Sequence, residues 1–313
     1  MIQKLTITNY RSIAQATVNL QPFTVLVGAN GSGKSNLLKL LSELPSRTNG
    51  AIAPIKHLGH SAAPSRIDVR TSTIAAAVFT ETGVGPSFEV PEFRNVRIFS
   101  INPALVGAQE PLKGPPDVAA DGAGVIRVLD SLKTGDREDL FNTIESELRS
   151  FVPEIEKLSF APGAGAKSLQ VRERGIPVPV PVRLLSEGTR LVLTILAIVY
   201  QERKPSIICL EDIDRGLHPA LFGKLVEVCR TLVKGIGAPQ IIATTQNPYF
   251  VDQFVDDEDS VVLVEKENAN TTFTTLTERL ASLGARTDSL GAVWYSGLVG
   301  GVPKTDIKHL PRK

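Results

Sequence analysis

The sequence predicts an α/β fold with a parallel-sheet core, on three observations. An apolar run, Phe23–Val27, leads into a glycine-rich loop and then into residues at helical spacing, a strand–loop–helix unit. The last third alternates strand-like apolar runs with helical stretches, the pattern of parallel strands joined by crossover helices. One of those runs ends in two carboxylates, Glu211 and Asp212, and open α/β sheets place their chemistry at that end of a strand.

Taken in order, the chain opens with period-two alternation over Lys4–Tyr10 and Ala14–Leu20, on either side of a turn at Arg11 and Ser12. Pro22 breaks that pattern. Phe23–Val27 is continuously apolar, as a strand buried on both faces would be. Asn36–Leu44 has helical spacing, and Pro45 is expected to end the helix. From Ser46 to Pro116 the composition shifts toward Pro, Gly, Ser and Thr. β-like pieces at Ile67–Ser72, Ile74–Thr80 and Val96–Ile101 predict an antiparallel β subdomain joined to the core. Residues 117–158 switch to helical periodicity, as in Val125–Lys133 and Asp139–Phe151.

Alternating Pro177, Pro179 and Pro181 mark an edge or an extended linker, because proline cannot donate into a central ladder. The chain then enters a helix within Leu184–Val199 whose natural N-cap is Ser186. Ser206–Leu210, Gln240–Thr244 and Ser260–Glu265 read as strands, and Pro219–Val233 as a helix. The expected organisation is one domain over 1–313: a β and phosphate-loop part (1–116), a helical part (117–205) and a C-terminal part (206–313). No internal repeat or sustained heptad run interrupts it.

Composition bounds the function. With 42% hydrophobic and 21% charged residues, the chain can bury a large core. A net charge of +1 gives no global basic field for nucleic acid, though a local basic face remains open. Cys209 and Cys229 sit in apolar runs without CxxC spacing and read as buried reduced thiols, as in a cytoplasmic protein. The N-terminus lacks the build of a signal peptide. The apolar stretch Leu191–Tyr200 is too short to span a bilayer.

Gly28-Ala29-Asn30-Gly31-Ser32-Gly33-Lys34-Ser35 satisfies G-x-x-x-x-G-K-[ST] between a strand and a helix. Glycines let backbone N–H groups curl around a phosphate without Cβ clashes. The helix N-terminus adds partial positive charge. Lys34 is placed to neutralise phosphates and Ser35 to ligate magnesium. Of the acidic pair, one carboxylate can hold the magnesium shell and the next can orient water. Ser186, at a helix N-terminus, offers a hydroxyl and free N–H groups to an anion. His218 reads as structural, and His57, His60 and His309 carry no assignment.

The order of Asn9-Tyr10-Arg11-Ser12, the glycine loop, Leu184-Leu185-Ser186-Glu187-Gly188-Thr189-Arg190, the run from Cys209 to Pro219, and Ile241–Pro248 resembles a known family. It is similar to the ABC ATPases of the RecF, SMC and OLD (overcoming-lysogenization-defect) group, and most of all to small AAA-type ATPases related to OLD proteins. The resemblance extends over Asp121–Leu132 and Gly291–Gly301, so it covers nearly the whole chain.

The resemblance implies an ABC-ATPase head: a P-loop parallel-sheet core, an antiparallel β subdomain and a helical signature subdomain. It implies ATP and Mg2+ as ligands and a homodimer sandwiching two ATP molecules. Ser186 and Gly188 then contact the γ-phosphate held by a second subunit. Glu211 takes the magnesium position with Ser35, Asp212 the water-activating position, and Asp214 the loop crossing the dimer seam. Gln246 takes the switch position. Arg11 and Ser12 belong to the N-terminal loop approaching nucleotide, and Asn30, Gly31, Ser32, Gly33, Lys34 and Asn36 to the phosphate cradle.

Two residues depart from that pattern. Asp212 stands where relatives carry glutamate, one methylene longer, and a general base must reach its water. Gln246 stands where relatives carry histidine; it can donate a hydrogen bond but cannot become cationic. Both changes weaken transition-state stabilisation more than ATP binding, so slow hydrolysis is expected. No acidic metal cluster follows Pro248 (the run at 255–260 reads as a solvated turn), so any DNA cutting is expected of a separate nuclease or effector. DNA itself is a further expected partner, and a membrane is not. A non-hydrolysing ATP-dependent scaffold is the alternative; a transporter subunit fits less, because the signature lacks a second glycine.

Overall fold

The computed structural model describes residues 1–48, 65–72, 77–80, 83–84, 95–108, 110–111, 113–163, 166–235, 237–284 and 289–303. His57, His60, His309 and the start of the expected strand at Ile74 lie outside them. The chain divides into two compact units. One is discontinuous, Ile2–Glu89 with Thr244–Lys313; the other is continuous, Val90–Ala243, joined by Met1.

The discontinuous unit begins with β1 (Ile2–Tyr10) and β2 (Ile13–Asn19), an antiparallel pair in which Tyr10 faces Ile13 across the Arg11–Ser12 turn. Asn9 and Arg11 take φ of 55° and 49°, left-handed values that fold the chain back within two residues. β3 (Phe23–Val27) is buried at all five positions. It feeds the glycine loop and α1 (Lys34–Thr48), which runs three residues past Pro45. That corrects the expected end at Leu44. Proline forfeits a single N–H bond, and one lost bond near the end of a helix does not end it. β4 (Arg66–Thr71), β5 (Ala77–Thr80) and β6 (Gly83–Val84) complete an antiparallel sheet in the order β2-β1-β4-β5-β6.

The continuous unit starts with β7 (Val96–Phe99). This strand was expected in the antiparallel subdomain. Instead it lies parallel to β12 (Ile207–Leu210), with Ile207 opposite Val96 and Leu210 opposite Phe99. β12 is parallel in turn to β13 (Gln240–Thr245), and the crossover between them is α5 (Phe222–Leu232), entered through a short 3-10 turn at Pro219–Leu221. β8 (Glu110–Pro111), α2 (Val125–Thr134) and α3 (Glu138–Phe151) follow β7.

The helical expectation for 117–158 then fails at its end, where β9 (Ile155–Gly163) pairs with β10 (Ala166–Glu173). β11 (Val180–Pro181) lies on the edge of that sheet, as its prolines require. α4 (Glu187–Tyr200) is buried continuously from Leu191 to Val199, apolar on every side and enclosed accordingly. Cys209 on β12 and Cys229 on α5 are free and buried, and burial pushes both thiols up to about 12.

The last two residues of β13 return the chain to the discontinuous unit, followed by α6 (Pro248–Val251) and β14 (Val261–Glu267). β14 runs parallel to β3, with Val261 opposite Val25. β15 (Asn270–Thr275), which the sequence reading missed, pairs antiparallel with β14. α7 (Leu276–Leu283) carries a capping box from Thr275 and Glu278, and α8 (Leu290–Tyr295) ends the described elements. Phe23, Phe250 and Phe254 stack as tilted pairs at 5.6 and 6.1 Å, packing the base of the strand that bears the loop. Among the described residues no helix is long and apolar enough to cross a membrane.

Candidate functional site

The phosphate loop belongs to the discontinuous unit. Two of its glycines, Gly28 and Gly33, are required by close approach. At Gly28 a Cβ would lie 2.2 Å from the carbonyl oxygen of Val264 on β14, and at Gly33 it would lie 2.5 Å from the Thr271 hydroxyl on β15. Gly31 and Gly33 also take φ of 74° and 115°, open to glycine at little cost. Lys34 is buried, and its Nζ donates to the carbonyls of Gly28 (2.6 Å) and Ala29 (3.0 Å), folding the ammonium against the loop. Ser32 is 4% exposed, and its Oγ has no hydrogen-bond partner among the described residues. Asn30, Gly31 and Ser35 are exposed.

These features suit a phosphate. A glycine cradle, a buried hydroxyl unpartnered among the described residues, a cation and the start of a 15-residue helix converge on one loop. Magnesium bound at such a site takes one or two protein oxygens besides phosphate and water, so no all-protein cage is needed.

Arg11 and Ser12 share a turn but reach in different directions. Arg11 donates to Glu43 (2.9 Å), which also accepts from the Tyr10 hydroxyl (3.2 Å). Glu43 lies nine residues along α1 from Lys34, about 13 Å by the helical rise. Ser12 instead turns to the loop, bonded to Asn36 Nδ2 and to the Thr271 hydroxyl at 2.7 Å each. Gln246 is exposed at the end of β13, between buried Thr245 and Asn247, whose side chain caps α6 by accepting from Tyr249 N (3.0 Å).

The acidic pair and Ser186 belong to the continuous unit. Glu211 N donates to Phe99 O (2.9 Å), so β7 fixes the point where β12 ends. Asp212 is exposed with φ 50°, and the turn beyond it closes through Arg215 N to Asp212 O (3.0 Å) and Leu217 N to Asp214 O (3.1 Å). Ile213, 1% exposed, plugs that turn into the core. Ser186 caps α4 as expected: its Oγ accepts from Thr189 N at 3.1 Å. At Gly188 a Cβ would lie 2.6 Å from Gly216 O and 3.0 Å from Leu217 Cα. The glycine thus lets the first turn of α4 touch the turn that follows Asp214, a packing reason that the sequence did not disclose. His218, read from the sequence as a structural or seam residue, accepts from Ala220 N (3.2 Å) and caps the 3-10 turn.

The sequence profile of the family described as "AAA domain, putative AbiEii toxin, Type IV TA system" matches residues 92–252, just over half of the chain. The chain belongs to this AAA-domain family. A second profile, the AAA ATPase domain, matches residues 1–72, which hold the phosphate loop. Curated proteins give no match to the sequence.

Among solved structures, one similar fold is an Smc head bound to the C-winged helix domain of ScpA, at 12% identity and TM-score 0.59, covering 91% of this chain and 99% of that one. Another is an Smc head with an extended coiled coil, bound to the C-terminal domain of ScpA from Pyrococcus furiosus, at 10% identity, TM-score 0.52 and 90% and 98% coverage. The AAA-domain chain therefore has the fold of an SMC head, within the α/β class that the glycine loop and the strand–helix alternation predict and of the kind that the family resemblance implies.

Proposed function

We propose that this chain binds ATP with magnesium at Gly28–Ser35 and hydrolyses it slowly, and that two nucleotide-bound copies join as a homodimer. The dimer regulates action on DNA or on a separate nuclease or effector, in DNA repair or phage defence. One observation carries the reading: Lys34, the close-packed glycines and the Ser32 hydroxyl, which has no hydrogen-bond partner among the described residues, meet at the start of α1 as a phosphate would need them.

Lys34 and the first-turn N–H groups receive phosphate oxygens, with Asn30 and Asn36 at the rim. Ser35 and Glu211 supply oxygens to magnesium. Asp212 orients water and accepts its proton, and Gln246 donates a hydrogen bond to the terminal phosphate. Ser186 and Gly188 present the start of α4 to the nucleotide of the second copy, and Asp214 lies at the seam. Leu184 and Val178, each 63% exposed in the segment that leads into Ser186, support a surface covered in an assembly. The toxin–antitoxin setting in the family's description supports the defence role, and the ScpA-bound Smc heads support a protein partner.

The non-hydrolysing scaffold is the second reading, favoured by Asp212 and Gln246. Steady-state ATP turnover, with and without duplex DNA, separates the two. Lys34→Ala is expected to weaken ATP binding at least tenfold, about 1.4 kcal/mol, and to supply the blank. Turnover above that blank establishes hydrolysis, and stimulation by DNA selects a nucleic-acid partner. Tight ATP binding without turnover selects the scaffold.

A further inference from the structure

Four residues from four segments of the discontinuous unit form one chain of hydrogen bonds, and its polarity is fixed by chemistry. Thr271 is fully buried on β15, and its Oγ1 lies 2.8 Å from the Ser32 carbonyl oxygen. A carbonyl only accepts, so the single hydroxyl proton of Thr271 goes to Ser32. Ser12 Oγ, 2.7 Å from Thr271 Oγ1, must then be the donor of that pair. Its lone pairs accept from Asn36 Nδ2 at 2.7 Å. The order is Asn36 to Ser12 to Thr271 to the Ser32 carbonyl, every link in one direction.

The backbone secures the same contact twice more: Thr271 N donates to Ser12 O (2.7 Å) and Ala14 N to Asn270 Oδ1 (2.8 Å). The two ends of the relay lie on either side of Lys34, at Ser32 in the loop and Asn36 in the first turn of α1. In a trans peptide the C=O and the following N–H point in opposite directions. Holding the Ser32 carbonyl toward β15 therefore turns the Gly33 N–H away from β15. The contact at Gly33, where any Cβ would strike Thr271, keeps that peptide against the strand.

We propose that Thr271 is a positioning residue of the phosphate loop: through Ser12 and Asn36 it clamps the Ser32–Gly33 peptide so that its N–H is set for phosphate before nucleotide arrives. The clamp couples the N-terminal hairpin and the β14–β15 hairpin to one peptide of the loop. It rests on the ATP-binding reading above.

The test is the dissociation constant of a fluorescent ATP analogue with magnesium, on the full chain, with the melting temperature of each nucleotide-free variant in parallel. Thr271→Val keeps the shape and removes the hydroxyl, leaving a buried carbonyl unpaired. It is expected to weaken binding about tenfold, and Thr271→Ser, which restores the hydroxyl, to stay within about threefold of the parent. Ser12→Ala, which leaves the Thr271–Ser32 bond in place, is expected to weaken binding by about threefold, and by less when added to Thr271→Val. If Thr271→Val does not fold, Thr271→Ser and Ser12→Ala carry the test.

Unchanged affinity in Thr271→Val, while Lys34→Ala loses binding, overturns the clamp and leaves the ATP reading standing. Equal losses in the valine and serine variants overturn it too, because methyl packing would then be the cause. A parent chain that binds no ATP overturns both.

Discussion

Asp212 sits at φ 50°, where aspartate is tolerated better than glutamate because its short side chain bonds to the local backbone. The shorter carboxylate thus has a conformational reason beside the catalytic role proposed for it. Asp212→Glu combined with Gln246→His is expected to raise turnover severalfold in the steady-state assay, at a stability loss of about 1 kcal/mol from the strained φ. A double variant no faster than its parent overturns the idea that these two departures slow hydrolysis. At this scale the sequence disclosed what is local. Lys34 and Ser186 act within their own turn, and their neighbours along the chain identify them. Thr271 was not legible, because nothing in Asn-Thr-Thr-Phe reports a partner 239 residues away. At Gly188 the sequence did not disclose a packing demand, the Gly216 carbonyl oxygen that a Cβ there would meet.

The β14–β15 hairpin turns through Asn268 and Ala269 at φ 48° and 65°, with Glu267 opposite Asn270. This is a two-residue turn with both central residues left-handed, for which Asn-Gly is the favoured pair. Alanine there costs about 1–2 kcal/mol in Cβ crowding, partly offset by the entropy that glycine loses on folding. Ala269→Gly is therefore expected to stabilise the chain by about 0.5–1 kcal/mol, read as a higher urea midpoint at unchanged slope. The phosphate-loop strand, α4 and β12 were legible because each is a continuous apolar run. The β9–β10 hairpin was not. Ile155 and Leu158 stand three apart, the spacing of a helix face, and both are buried in a strand whose pairing shifts register between Arg172 and Glu173; the turn signal at Pro162-Gly163 fell beyond the helical window. β7 was seen as a strand but placed in the wrong sheet, since four residues of alternation do not specify a partner.

Over the whole chain, the phosphate loop and Gln246 belong to one unit, and the acidic pair and Ser186 to the other. The family profiles divide in a similar way, the first 72 residues matching one and 92–252 the other. If a second copy covers the surface before Ser186, Leu184→Asp places a charge within it. It is expected to abolish ATP-dependent dimerisation in sedimentation velocity while leaving the ATP affinity of the monomer within about twofold. The clamp on Ser32 also bears on how the protein is made. Ribosomes deliver the glycine loop 239 residues before Thr271, its partner in the clamp. A nascent chain therefore carries its nucleotide motif unclamped until β15 has emerged. On the clamp proposed above, the loop is set for phosphate only once the β14–β15 hairpin has been made, so nucleotide affinity is expected to rise at that point of synthesis.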